Sequence, residues 1–443
     1  MIWLVFGFVF FLFILTISYN HFKFLAFIFD NIIILSNYLS LVTCSFLVLN
    51  HKKKIIHNSL CFLCWALILC LCIFNMARTS VVVLVLTATF IIFEQYNIKF
   101  TTLFRVFIPA IVIVTAVTFK QNSSAGRAFI LKRTVDIIRE YPMAGVGLNR
   151  FPYFYNKAQE NYFKNGKATP NEIFLADNVF TANNEFLQSL SEFGIWIFLI
   201  FSIGLFVVLR QEFLKRDNNI RLCTLWYMMV AILLLFSYPL RNFQFATTIL
   251  LFWLSYQPQK FSVRKHLFIA RATMLSLLLF SFYTVCGQFR LITVWKAIDD
   301  SSDIEVSVVE YGNLEKQLNY NEAFLLKYYQ LLFAFSELEE AEKVLGKVIV
   351  NNYSIPLLIR RSEIEKALNK KQEAVNTLRH AVNIAPGKFL PRYELVKQLL
   401  YNRDSLKANL EASDILALPI KVHSPKIDEI RNNCQLIIAY HRK

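Results

Sequence analysis

The chain has 443 residues, of which 56% are hydrophobic and 18% charged, and 43 are phenylalanine. Soluble domains carry about 45–50% apolar and about 25% charged residues, so this composition excludes a disordered chain, a collagen-like chain and a simple cytosolic enzyme. The formal charge of +16 is diffuse and comes without a nucleic-acid recognition motif, so it reads as membrane topology and lipid contact.

Apolar runs long enough to span a bilayer, or nearly so, fall at 2–18, 24–49, 59–75, 79–93, 102–118, 193–209, 222–238, 243–256 and 267–287. The expected fold class is therefore all-α: a polytopic helix bundle over 1–290, followed by a soluble domain at 300–443. The first run lacks a basic flank and a small-residue cleavage site, so it reads as a retained helix. Lys52-Lys53-Lys54, Arg210 to Arg221 and Lys260 to His266 form three basic loops that helix counting places on one side, the cytoplasm. The segment 119–192 and the C-terminal domain then lie on the opposite, outer side of the membrane. Cys61 and Cys64 form a CxxC pair inside an apolar run and read as packing residues rather than a metal or redox site.

The loop 119–192 opens with Ser123 and Ser124, which can cap a helix whose apolar stripe is Leu131, Val135 and Ile138. Gly145-Val146-Gly147 forms a tight turn without dinucleotide spacing. A second helix begins near Thr181, with Asn184, Gln188 and Ser191 on one face and Glu185, Ser189 and Glu192 on the next. The loop carries nine Lys or Arg, a set that suits an anionic lipid ligand. Lys132, Arg133, Lys157, Lys164 and Lys167 read as headgroup contacts, Lys132 also serving as a candidate substrate contact together with Arg241. Arg78 at a helix mouth and Arg127 just inside the loop are set apart from these.

Between 320 and 420, Ala341, Ala374 and Ala408 recur at intervals of 33 and 34 residues, and Pro386 and Pro419 close successive helices. This is the period of a tetratricopeptide-type solenoid, which offers a surface for protein partners. His380 and His423 read as exposed or packed side chains, not ligands.

The stretch GRAFILKRTVDIIREYPMAGVGLNRFPYFYNKAQENYF…NEIFLADNVFTANNEFLQSLSEFG resembles the core of the O-antigen ligase/polymerase family, in the subgroup with C-terminal tetratricopeptide repeats. The tail segments PRYELVKQLL and ILALPIKVHSPKI extend the likeness. The resemblance implies a GT-C-type membrane glycosyltransferase that needs no metal or other cofactor. It implies transfer or polymerisation of a glycan from an undecaprenyl-pyrophosphate carrier to lipid A core, a glycan chain end or a protein hydroxyl. By the same resemblance, Arg78 and Arg127 hold the pyrophosphate, and Asn183, Asn184 and Gln188 line the substrate. Many ligases have histidine where this chain has Asn183, and Asn149 and Arg150 replace the usual small residues. Glu185 is then the candidate base, with Asp177 next in line. The alternatives are a protein O-oligosaccharyltransferase and a non-enzymatic assembly factor that uses the repeats as a scaffold. A transporter would show polar residues in mid-span, and only Asp30 and Asn31 fit that pattern.

Overall fold

The computed structural model describes residues 32–53, 57–95, 121–166, 168–214, 219–238, 245, 247–249, 252, 287, 290–298 and 304–441. Among these every regular element is a helix. The expected spans at 2–18 and 102–118 lie outside the described residues, as do nearly all of 267–287, most of 243–256 and the candidate Arg241.

The chain divides into two compact units. One comprises residues 1–148 and 181–257, the other 149–180 and 258–443. The apolar pattern groups 149–180 with the spans; in the fold these residues pack with the C-terminal helices.

In the first unit, α1 (Ile32–Lys53), α2 (Asn58–Phe74) and α3 (Arg78–Gln95) pack with α8 (Asn219–Phe236). Their core holds Leu35, Leu39, Ile68, Val83, Leu84 and Trp226. Trp226 stacks on Phe252 at 3.9 Å and donates its indole N–H to Ser45 Oγ at 2.8 Å. Among the described residues one helix, Ile32–His51, is long and apolar enough to cross a membrane, and Ser59–Phe74, Arg78–Ile92 and Trp226–Phe236 are shorter apolar helices. Cys61 is buried and accepts from Asn50 Nδ2 at 3.1 Å, as a packing residue does.

Helix α4 (Gln121–Glu140) is already running at Gln121. Ser123 and Ser124 therefore lie inside it rather than before its first turn. It packs against α7 (Glu185–Leu214), which breaks at Gly194 (φ 72°, ψ −177°). The break orphans carbonyls of the preceding turn, and the expected glycine turn supplies their donors. Val146 N–H bonds Ser191 O and Gly147 N–H bonds Glu192 O, both at 2.9 Å, while Ile195 N–H bonds Pro142 O at 2.9 Å. A Cβ on Gly145 would lie 2.5 Å from the Glu192 carbonyl carbon, and one on Gly194 would lie 2.7 Å from Gly145 N. The backbone of Gly194 also occupies a region that is essentially glycine-only. Gly194→Ala is expected to destabilise this unit by about 3 kcal/mol. Thermal unfolding in detergent, with hydrogen exchange at Val146 and Gly147, measures the effect.

In the second unit, α9 (Ile304–Leu318), α10 (Glu322–Ala334), α11 (Leu338–Ile349), α12 (Ile355–Ala367), α13 (Lys371–Ile384), α14 (Phe389–Tyr401), α15 (Ser405–Ala417) and α16 (Pro425–His441) stack in chain order. Ala341, Ala374 and Ala408 are all fully buried. The turns repeat too. Ser336, Asn369 and Arg403 each take a left-handed backbone (φ 62–63°). After each one, a 6→1 bond closes the helix: Glu337 N–H to Leu332 O, Lys370 N–H to Glu365 O, and Asp404 N–H to Leu399 O. The period seen in the alanines is thus a period of the backbone.

Helix α5 (Phe151–Lys164) and α6 (Pro170–Leu175) join this second unit, α5 lying on α13. α5 turns Phe151, Tyr155, Asn156, Gln159 and Glu160 inward. Gln159 Nε2 donates to Ile384 O at 2.6 Å and to Asp177 O at 3.0 Å. The Glu160 carboxylate is fully buried and receives Lys164 Nζ at 2.5 Å, Lys157 Nζ at 3.0 Å, the Tyr353 hydroxyl at 3.0 Å and His380 Nδ1. This corrects two expectations: Lys157 and Lys164 are not headgroup contacts, because one buried carboxylate gathers them, while His380 is a packed side chain, as expected. His423 is exposed, as expected.

Burial by itself raises the pKa of Glu160, but the hydrogen bonds from His380, Lys164 and Lys157 outweigh it and hold the carboxyl down to about 2. A group depressed below its ordinary 4.5 stabilises the fold above that value. The contribution is complete above about pH 5 and is lost as pH falls through 4.5 toward 2. Hydrogen-exchange protection of the α5 amides is expected to decline across that acid window. Glu160→Gln should lower protection already at neutral pH, by about 3 kcal/mol, and flatten the acid response.

Candidate active site

Helix α2 ends in a tight cap. Met76 adopts φ 54°, Met76 N–H bonds Ile73 O, and Ala77 N–H bonds Cys72 O at 2.9 Å. The cap reverses the chain so that Arg78 is the first residue of α3. A cation at a helix N-terminus adds to the positive end of the helix dipole instead of compensating it. That combination favours an anion.

Arg127 on α4 senses this charge. Desolvation first, and then the positive charge of Arg78, pull the Arg127 guanidinium below its ordinary range, while Tyr238 acts in the opposite sense. Solvent still reaches much of the Arg127 side chain, which limits the effect, and a guanidinium stays charged at every physiological pH. Two like charges and a tyrosine thus share one locality. Tyr238 follows directly on the C-terminal end of α8 and was not singled out by the sequence; its only signal there is the end of an apolar run.

The start of α7 meets the same end of α8. Asn184 donates its Nδ2 to Leu235 O at 3.1 Å and accepts from Leu187 N–H at 3.0 Å through Oδ1. It therefore caps α7 and leaves Glu185 as the first helical residue, buried at 7% exposure. Asn183 takes a left-handed backbone, φ 54°, a conformation in which Asn, Asp and His are enriched. Gln188 is buried and engaged within the unit: Oε1 accepts from Ala182 N–H and Nε2 donates to Glu192 Oε1, both at 2.7 Å. Its amide therefore shapes the loop around Asn183.

Lys132 is exposed on α4. Arg133, expected at the lipid surface, is instead buried, pairs with Asp136 at 3.1 Å and lies over the Phe129 ring. Asp177 belongs to the second unit, where Lys388 holds its carboxylate at 2.5 Å. Among the described residues, no three His, Cys, Asp or Glu side chains gather closely enough to hold a metal ion.

The described residues define a helical protein with Arg78 at a helix mouth, its charge felt by Arg127 on α4, and a capped, buried glutamate beginning a helix that docks on the end of α8. Residues 39–202 match the family model described as O-Antigen ligase. That stretch contains Arg78, Arg127, Lys132, Asn183, Asn184, Glu185 and Gln188, so the similarity falls on the helices that build the site. No curated protein matches the chain.

Proposed function

We propose that the chain is an inner-membrane glycosyltransferase that takes a glycan from a polyprenyl-pyrophosphate carrier on the periplasmic face. The observation that carries this reading is the arginine pair at the mouth of α3, a site built for a dense anion, within the stretch similar to O-antigen ligases. Exposed apolar side chains on α2 (Phe62, Phe74) and α7 (Trp196, Ile200) suit a lipid environment. The acceptor hydroxyl attacks the anomeric carbon with inversion while the bond to the pyrophosphate oxygen breaks. Arg78 and Arg127 take up the charge that develops on the departing pyrophosphate. Glu185 receives the hydroxyl proton. The acceptor is lipid A core for a ligase, or a glycan chain end for a polymerase. The stacked helix pairs of the second unit fit a tetratricopeptide-type array, which favours a macromolecular acceptor or partner; a protein hydroxyl is accordingly the second reading.

A deletion strain tests this directly. Loss of long-chain lipopolysaccharide, capsule or glycoprotein, restored by the wild-type chain and not by Arg127→Ala, supports the reading and identifies the acceptor. An unchanged profile of all three sinks it. Orientation has its own test: a reporter fused after residue 300 is expected to be active only in the periplasm, and cytoplasmic activity there would overturn the outward-facing site.

A further inference from the structure

Three buried polar side chains, one on α1, one on α3 and one just past the end of α8, form one bridge in the first unit. Ser80 Oγ donates to Asn37 Oδ1 at 2.7 Å, and Asn37 Nδ2 donates to Ser237 Oγ at 2.9 Å. Asn37 is 1% exposed and Ser80 and Ser237 are buried with it. Polar groups among apolar helices are expensive to bury unless they are paired, and this pairing is placed where the candidate site is assembled. Ser80 sits two residues after Arg78 on α3. Ser237 immediately precedes Tyr238 at the end of α8, two residues after the Leu235 carbonyl that receives Asn184. A second bond, Asn75 Nδ2 to Ser36 Oγ at 3.1 Å, ties the turn before Arg78 to the same stretch of α1. Asn37 and Ser237 lie outside the stretch matched by the family model.

We propose that Asn37 is a positioning residue for the anion site: through Ser80 it sets where α3 presents Arg78, and through Ser237 it sets where α8 presents Tyr238 beside Arg127. The inference rests on the glycosyltransferase reading, because the ligand whose binding it tunes is the donor pyrophosphate. A single asparagine can do this because its amide offers an acceptor and a donor in one fixed plane. Helix ends that lose one of their few polar ties can slide by fractions of an ångström. A bidentate arginine contact is sensitive to displacements of that size.

The test is a double-mutant cycle on the full chain purified in detergent, with undecaprenyl pyrophosphate as the binding probe and transfer from lipid-linked donor as the second readout. Asn37→Leu, which has similar volume and no hydrogen bonds, is expected to weaken probe binding about tenfold and to raise the donor KM more than it lowers kcat. In an Arg78→Ala background it should add little, because the group it positions is gone. If Asn37→Leu folds poorly, Ser80→Ala and Ser237→Ala each remove one bond and carry the same comparison. Wild-type binding by a folded Asn37→Leu, or losses that multiply in full with Arg78→Ala, would overturn the positioning role while leaving the arginine site standing. Wild-type binding by Arg78→Ala removes the arginine site itself, and the positioning role with it.

Discussion

Arg127→Lys is expected to lower glycan transfer nearly as far as Arg127→Ala, by about 10²–10³-fold at matched expression, and Arg78→Lys is expected to behave alike. Lysine keeps the charge but loses the planar fork that meets two phosphate oxygens at once. The site gives this distinction force. Arg78 stands at a helix N-terminus and its charge already weighs on Arg127, a combination that favours an anion. A generic basic patch would tolerate lysine. Transfer by membranes carrying each variant, from a lipid-linked donor, separates the two cases: near-wild-type turnover by both lysine variants leaves only a generic patch.

Glu185→Gln is expected to lower kcat by at least about 10²-fold while leaving donor binding and folding intact. Asn184 already caps α7 through its Oδ1, so the carboxylate of Glu185 is not required for that task. Glutamine preserves its volume and its hydrogen-bonding reach and removes only the capacity to take a proton. Asn183 has no such capacity, but its left-handed backbone admits histidine, so Asn183→His is expected to be tolerated. Stopped-time transfer assays with a binding control distinguish the outcomes. Most of the turnover surviving in Glu185→Gln would end its candidacy as the base. Asp177 would be a weak successor, because Lys388 already holds it in the other unit.

Much of this architecture is written in local patterns. The apolar runs at 59–75, 79–93 and 222–238 coincide with α2, α3 and α8, because an uninterrupted run of apolar residues has few conformations other than a helix that satisfy its backbone. The spacing of Ala341, Ala374 and Ala408 revealed stacked helix pairs, because only a small side chain fits where two helices touch. Gly145 and Gly147 marked a turn because their positive φ excludes most other residues. Arg78 and Arg127 were singled out from the sequence, Arg78 because it stands at a helix mouth.

What the sequence by itself determined, then, is the helical class and the run of helices along the chain. The tertiary structure alone decided which polar groups meet. The inward face of α5 carries Asn156, Gln159 and Glu160, so its pattern reads as a surface helix; Glu160 becomes an interior residue because His380, 220 positions away, comes to it. Asn37 and Ser237, 200 positions apart, are likewise ordinary polar interruptions of apolar runs until α1 and α8 are side by side. The physical reason is common to both. Apolar burial is nondirectional and leaves a periodic trace along the chain, whereas a buried hydrogen bond or ion pair depends on two specific groups at fixed distance and angle, and no local periodicity encodes its distant partner.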